Sequence, residues 1–147
     1  LFYRAFVNEK LKRYNFARLD YQNLLVLVPG NFQAQLGLAL LNEKDQHLTE
    51  AYDGINSLIE QYPDSAVAYA ARGGMEKERG MLDLAVYDYG EAMRLDSTCQ
   101  DYVVNHADLL ISLGRKSEAY DDLRRLQKMG VKSGQLQDFF ARLRRKK

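Results

Sequence analysis

Residues 66–99 read AVAYAARGGMEKERGMLDLAVYDYGEAMRLDSTC, and the order of small and large residues in this stretch recurs along the chain. Small residues stand at Gly73 and Ala85, and the large residue Tyr89 follows the alanine by four positions. Gly80 lies between the two halves, where a glycine can end a helix and let the chain turn back. The stretch therefore predicts a hairpin of two antiparallel helices that approach closely at their small residues.

The same pattern returns every thirty-four positions. An alanine marks each repeat; a second small residue precedes it by twelve positions, and mostly large apolar residues follow it by four and by seven. These columns are Ala17, Ala51, Ala85 and Ala119; Ala5, Ala39, Gly73 and Ala107; Tyr21, Ile55, Tyr89 and Leu123; and Leu24, Leu58, Ala92 and Leu126. Apolar residues three and four apart form the buried stripe of a helix. The sequence therefore predicts an all-α fold of four helical hairpins.

The register of the columns sets the expected boundaries. We expect one domain over residues 1–147, with repeats at about 1–31, 32–65, 66–99 and 100–133 and a capping helix at about 134–147. First helices are predicted near 1–12, 32–44, 66–79 and 100–113, and second helices near 15–28, 48–61, 82–95 and 116–129. Asn31, Ser65 and Ser133 are residue types that accept hydrogen bonds from free amides at a helix start.

The last predicted helix is amphipathic. Its apolar stripe, Leu136, Phe139, Phe140 and Leu143, would cover the open end of the stack. Its cations are expected to face water; they are Arg142, Arg144, Arg145, Lys146 and Lys147.

In these columns the sequence resembles the tetratricopeptide repeat, a family whose members repeat with the same period. The resemblance covers residues 1–133, and the third repeat carries it most fully, in Tyr69, Gly73, Gly80, Ala85, Tyr89, Ala92 and Arg94-Leu95-Asp96. Pentatricopeptide arrays, which read RNA, have a period longer by one residue and lack this small-residue pairing. The resemblance implies a right-handed α-solenoid whose concave groove, lined by the first helices, holds an extended peptide or a partner helix. It implies no reaction.

The resemblance also implies which residues face the groove, because positions 2, 5, 9 and 12 of each repeat point to the concave side in that family. The predicted partner-binding residues are Phe2, Phe6, Gln33, Leu36, Leu40, Val67, Ala70, Gly74, Lys77, Asp101, Val104 and Asp108. Ile111, at position 12, is expected to lie at the polar rim of this groove. Ala70 and Gly74 are the smallest pair at positions 5 and 9, which predicts the deepest pocket in repeat three. The alternative is that these apolar residues pack as ordinary core.

No group of residues predicts catalysis, and we expect no cofactor and no metal site. Cys99 and His106 lie two helical turns apart, roughly 10 Å, too far for the hydrogen bond that would activate a thiol. His106 stands in a column that packs within its hairpin. Together with the groove that the resemblance implies, the lack of such a group favours a non-catalytic scaffold that binds a protein or peptide.

The amino-acid composition argues against nucleic-acid binding and against a membrane span. The chain is 46% apolar and 28% charged with a net charge of +1, which is typical of a folded domain and gives no field that would gather nucleic acid. The longest apolar run ends after Val28 and is far shorter than the roughly 20 residues that span a bilayer. One cysteine does not distinguish a reducing from an oxidising compartment, so localisation stays open.

The amino-terminal end carries apolar residues around more than one helix face; they are Leu1, Phe2, Tyr3, Phe6, Val7 and Leu11. The outer face of a terminal repeat is normally polar, so something is expected to cover this end. Two alternatives to the groove-binding function follow. The chain could be an assembly element that stacks on further repeats or on a second copy through this end, or the regulatory part of a larger enzyme.

Overall fold

The computed structural model describes residues 1–145, which form nine α-helices and one short 3-10 helix. The helices are α1 Phe2–Lys10, α2 Tyr14–Leu27, α3 Phe32–Lys44, α4 Leu48–Gln61, α5 Ala66–Glu78, α6 Leu82–Leu95, α7 Gln100–Ser112, α8 Lys116–Lys128 and α9 Gln137–Arg145, with the 3-10 turn at Ser133–Leu136. Each of the eight repeat helices begins and ends close to its predicted bounds, with the largest difference at the end of α1. The all-α solenoid of helix-turn-helix hairpins is confirmed.

Contacts between the helices group them into two units, Leu1–Asp64 and Ser65–Lys147. The first contains α1 to α4, and the second contains α5 to α9. The expectation of one domain stays a prediction, and each unit is described by itself.

Tyr21 organises the core of the first unit. Its ring is 3% exposed and meets the ring of Phe2 edge-on, with the centroids 6.2 Å apart. On the other side, a methyl group added to Gly37 would lie 2.6 Å from the Tyr21 ring, so α3 approaches this side chain where it has no Cβ of its own. Burial and the neighbouring Glu9 carboxylate raise the pKa of Tyr21 to about 12. A single aromatic side chain thus joins α1, α2 and α3.

In the second unit, Tyr89 stands at the repeat position of Tyr21 but packs against a glycine in the first helix of its own hairpin. A Cβ built on Gly73 would lie 2.9 Å from Cδ2 of Tyr89, which is 7% exposed. Ala85, Ala107 and Ala119 are fully buried, as the helix crossings require. Leu136 and Leu143 are also buried, so the segment after the fourth repeat closes this core as expected.

A polar pair lies within three of the four hairpins, sixteen residues apart in sequence. Arg4 donates to Asp20, Arg72 makes two 2.8 Å hydrogen bonds to Asp88, and Nδ1 of His106 lies 2.6 Å from Asp122. The three carboxylates are almost inaccessible to water. The second repeat has Leu38 and Gly54 at these positions. In the sequence, the signal for these pairs is a column of acids spaced by one or two repeat periods.

Each hairpin turn contains one residue in the left-handed region. It is Gly80 and Gly114 in the second unit, with φ of 75° and 74°. In the first unit, Lys12 and Gln46 hold the same position with φ of 60° and 63°. Non-glycine residues avoid this region because Cβ crowds the following carbonyl oxygen.

The two kinds of turn predict opposite effects of exchanging glycine and glutamine. Gln46→Gly should raise the free energy of unfolding by about 0.5–1 kcal/mol, because relief of the strained backbone exceeds the extra entropy of an unfolded glycine. Gly80→Gln should lower it by about 1–2 kcal/mol. Thermal unfolding followed by circular dichroism measures both. A loss of stability in Gln46→Gly would contradict this account of the turn.

Side-chain caps occur at two of the three predicted helix starts. Asn31 accepts a hydrogen bond from the Ala34 amide, and Ser65 accepts one from the Ala68 amide. The expectation for Ser133 was wrong, because the chain enters α9 through a 3-10 turn whose preceding residue is Lys132. The Ser133 hydroxyl instead accepts from Nε2 of Gln127.

Candidate partner-binding site

A cavity of about 620 Å³ opens in the second unit between α5, α7 and α9. Lys77 reaches it from α5, and Val104 and Asp108 reach it from α7. Phe139 and Arg142 on α9 form the opposite wall. Three of the twelve predicted groove residues, Lys77, Val104 and Asp108, therefore line one cavity.

Asp108 holds the charged side chains of this cavity together. Its Oδ2 accepts a 3.1 Å hydrogen bond from Nζ of Lys77, and its Oδ1 accepts a 2.6 Å bond from Nη1 of Arg142. Burial by itself would raise the pKa of Asp108, but the bonds from Arg142 and Lys77 outweigh it and leave that pKa below its ordinary value. The carboxylate is thus charged near neutral pH, and each of the three side chains stays about one third exposed. These ions remain accessible to a ligand.

The contribution of α9 was missed in the sequence. Arg142 was expected only to face water, yet it pairs with Asp108. It follows Asp108 by one repeat period, and Ala141 likewise follows Ala107, so α9 occupies the register of a fifth first helix. Continuing the small-residue column by one period would have found it. Arg144 and Arg145 are exposed, and Lys146 and Lys147 lie outside the described residues.

The expected dent at Ala70 and Gly74 is not where this cavity lies. The Tyr89 side chain lies beside that position, with its hydroxyl 3.5 Å from the place of a Cβ on Gly74, and Ala70 packs against the buried core. Ile111 was also misassigned, because it is fully buried in that core and does not form a rim. Small residues at these positions admit a neighbouring side chain of the same unit.

The other predicted groove residues are distributed between core and surface. In the first unit, Phe2 packs on Tyr21, Leu36 is half-buried, and Phe6 and Leu40 are 47% and 37% exposed. Three further predicted residues lie in the first turns of their helices and keep contact with water; they are Gln33, Val67 and Asp101. In the first unit, some of the predicted apolar positions therefore belong to the core and others are exposed at the surface.

A second surface of interest is the apolar outer side of α1 and α2. Tyr3 is 84% exposed, Val7 51%, Phe16 64% and Leu19 52%. Tyr3 stands one repeat period before Gly37, the position of α3 that packs on the preceding repeat's second helix. The face that α3 buries is thus open to solvent on α1.

The two residues considered for catalysis are His106 and Cys99, and the structure shows where each of them lies. The His106 imidazole is engaged with the buried Asp122 carboxylate, and Cys99 precedes the first residue of α7 without forming a side-chain cap. Among residues 1–145, no group of three or more side chains is placed to hold a metal ion. Within the same residues, every helix is too short or too polar to cross a membrane.

Comparison with solved structures addresses the fold. A structure of MamA is 14% identical, with a TM-score of 0.77 over 95% of this chain and 80% of that chain. MamA from Desulfovibrio magneticus is 18% identical, with a TM-score of 0.68 over 87% of this chain and 71% of its own. TTC0263, a thermophilic TPR protein of Thermus thermophilus, is 17% identical, with a TM-score of 0.69 over 87% of this chain and 72% of its own.

Sequence comparison does not extend these similarities. No protein-family model matches the sequence. No curated protein matches it either. The constant repeat period, the hairpins and the likeness to a solved TPR protein agree, and the fold of this chain is that of a tetratricopeptide-repeat solenoid.

Proposed function

We propose that the chain is a non-catalytic protein-interaction scaffold that binds an extended segment of a partner in the cavity of its second unit. The observation that carries this proposal is the open cavity of about 620 Å³ in which apolar and charged side chains stand next to each other. Specific binding sites combine a few apolar contacts with a small number of placed polar groups. Val104 and Phe139 supply the apolar contacts. The polar groups are those of Lys77, Asp108 and Arg142.

The charges favour a segment with an acidic side chain beside an apolar one. Three cations line the cavity, Lys77, Arg142 and Arg145, against two carboxylates, Asp108 and Asp138. Of these three cations, Arg145 has no carboxylate partner among residues 1–145, so it is available to an incoming acid. Because exposed ion pairs contribute at most about 1 kcal/mol each, we expect the apolar contact with Val104 and Phe139 to dominate the affinity.

Photo-crosslinking in the source cell tests this site. A benzoylphenylalanine at Val104 should trap a partner that mass spectrometry identifies, while the same residue at the exposed Tyr87 of α6 should not. With the purified partner, Arg145→Ala and Phe139→Ala should each weaken binding in calorimetry, because the first removes the cation available to an acid and the second removes an apolar contact. Unchanged affinity in both variants, together with crosslinks from Tyr87 alone, would remove the cavity from the proposal.

The second candidate function is assembly, which the apolar side of α1 and α2 favours. Exposed apolar surface on a folded chain can mark a contact surface, and the exposed apolar residues of this hairpin include Tyr3, Val7, Phe16 and Leu19. A further repeat or a second copy could cover them. Sedimentation of the isolated chain over a range of concentrations distinguishes these cases, because the measured mass rises with concentration only if copies associate with each other. In that case, Val7→Lys should lower the measured mass.

A further inference from the structure

The second repeat has an opening where the other three hairpins have a polar pair. Leu38 and Gly54 stand at the positions that hold the cation and the carboxylate elsewhere. A cavity of about 200 Å³ lies beside them, between α2, α3 and α4. This volume is below the roughly 300 Å³ at which sites for drug-sized ligands begin and suits one amino-acid side chain. We call it the repeat-two pocket.

The repeat-two pocket has an apolar floor and a polar edge. Leu25, Leu38, Ala39 and Gly54 form the floor. The polar lining residues are Gln35, Asn42, Glu50 and Ser57, of which Glu50 and Ser57 are exposed and form the edge, while Asn42 is buried. Glu50 stands one helical turn before Gly54 on α4, so its carboxylate is close to the position of the acid in the other hairpins. Arg18 approaches Asn42 from α2 but forms its ion pair with Asp45.

Nothing in the packing requires a glycine at position 54. A Cβ there would meet Cβ of Ala39 at 3.5 Å, an ordinary contact, and its backbone is helical. Glycine inside a helix is less favourable than alanine. Its effect here is to keep the floor of the pocket open, in contrast to Gly37 and Gly73, where a neighbouring tyrosine fills the space.

The charge at the edge selects the kind of side chain that fits. Glu50 is exposed, and among residues 1–145 no cation pairs with it. A long aliphatic stem ending in a cation matches an apolar floor with a carboxylate at its edge. At the corresponding positions of the first and third hairpins, the chain itself seats an arginine beside a carboxylate.

We propose that the repeat-two pocket is a docking site for an arginine side chain of a partner protein. The arginine stem lies over Leu25 and Leu38, and its guanidinium group pairs with Glu50. This site is distinct from the cavity of the second unit, and it requires none of the residues proposed there. The planar guanidinium is less strongly hydrated than an ammonium group, which favours arginine over lysine in a half-enclosed pocket.

Nuclear magnetic resonance of the ¹⁵N-labelled chain tests the proposal with small probes. Nα-acetylarginine amide should shift the backbone amides of α4 around Glu50 and Gly54. Nα-acetylcitrulline amide has nearly the same shape without the charge, so it should bind about fivefold more weakly. Equal binding of the two probes, or no localised shift with the arginine probe, would overturn the proposal.

Two variants and a control connect the shifts to this pocket. Glu50→Gln should weaken the arginine probe about fivefold, because it removes the charge of the carboxylate. Glu60→Gln makes the same change on α4 outside the pocket and should leave the affinity unaltered. The double variant Leu38→Arg with Gly54→Asp installs the pair of the other hairpins and should abolish binding while the circular dichroism spectrum stays helical. Parental affinity in either pocket variant would refute the assignment.

Discussion

Replacing Gly73 with leucine is expected to lower the free energy of unfolding by about 3 kcal/mol. The first added atom already lies within 3.0 Å of two atoms of the Tyr89 ring, and that ring is 7% exposed and has little room to move. Three further carbon atoms would push α5 and α6 apart at their crossing. Urea denaturation of parent and variant measures the difference.

The adjacent glycine supplies the control. Gly74 is on the same helix, but a Cβ there meets only the Tyr89 hydroxyl, at 3.5 Å. Gly74→Ala should therefore raise stability by up to about 1 kcal/mol through helix propensity alone. If Gly73→Leu unfolds at the same urea concentration as the parent, the close crossing of these helices is wrong.

Removal of the Asp88 carboxylate should be about equally damaging. In Asp88→Ala, the Arg72 side chain, which is 20% exposed, loses two 2.8 Å hydrogen bonds and its ion pair with the Asp88 carboxylate. Breaking one side of such a buried pair costs about 3–5 kcal/mol. The melting temperature should fall by about 6–20 °C in a chain of this size.

Removing both partners should be much less costly, because no uncompensated charge remains. The double variant Arg72→Leu with Asp88→Ala approximates the second repeat, where the chain has Leu38 and Gly54. We expect it to recover at least half of the stability lost in the single variant. A double variant less stable than Asp88→Ala would show that the pair itself provides the stability.

The repeat helices could be predicted because one packing solution recurs. A helix crossing demands a small residue at a fixed place, so Ala17, Ala51, Ala85 and Ala119 disclose the period without knowledge of any contact. The backbone conformation of the hairpin turns recurs in the same way. Lys12 and Gln46 adopt the left-handed conformation that glycine adopts at the corresponding positions of the other two hairpins. Local geometry and long-range packing agree at these positions.

The site was less predictable, since it depends on how side chains of different helices share space. A small residue leaves a void only if no neighbour enters it, and the sequence does not show that the Tyr89 side chain lies beside Gly74. The role of Arg142 was missed for a different reason. A run of arginines at the end of a chain is usually solvated, and only the offset of one repeat period from Asp108 distinguishes this one.

The short sequence separation of the polar contacts has a kinetic consequence. The pairs within hairpins join residues 16 apart, and those from Asp108 to Lys77 and Arg142 join residues 31 and 34 apart. Closing such short loops costs little chain entropy, and each step requires only the neighbouring hairpin to be in place. Proteins dominated by local contacts fold within about microseconds to milliseconds. The first hairpin of a nascent chain can therefore form soon after its second helix leaves the ribosome, before the last repeats have been synthesised.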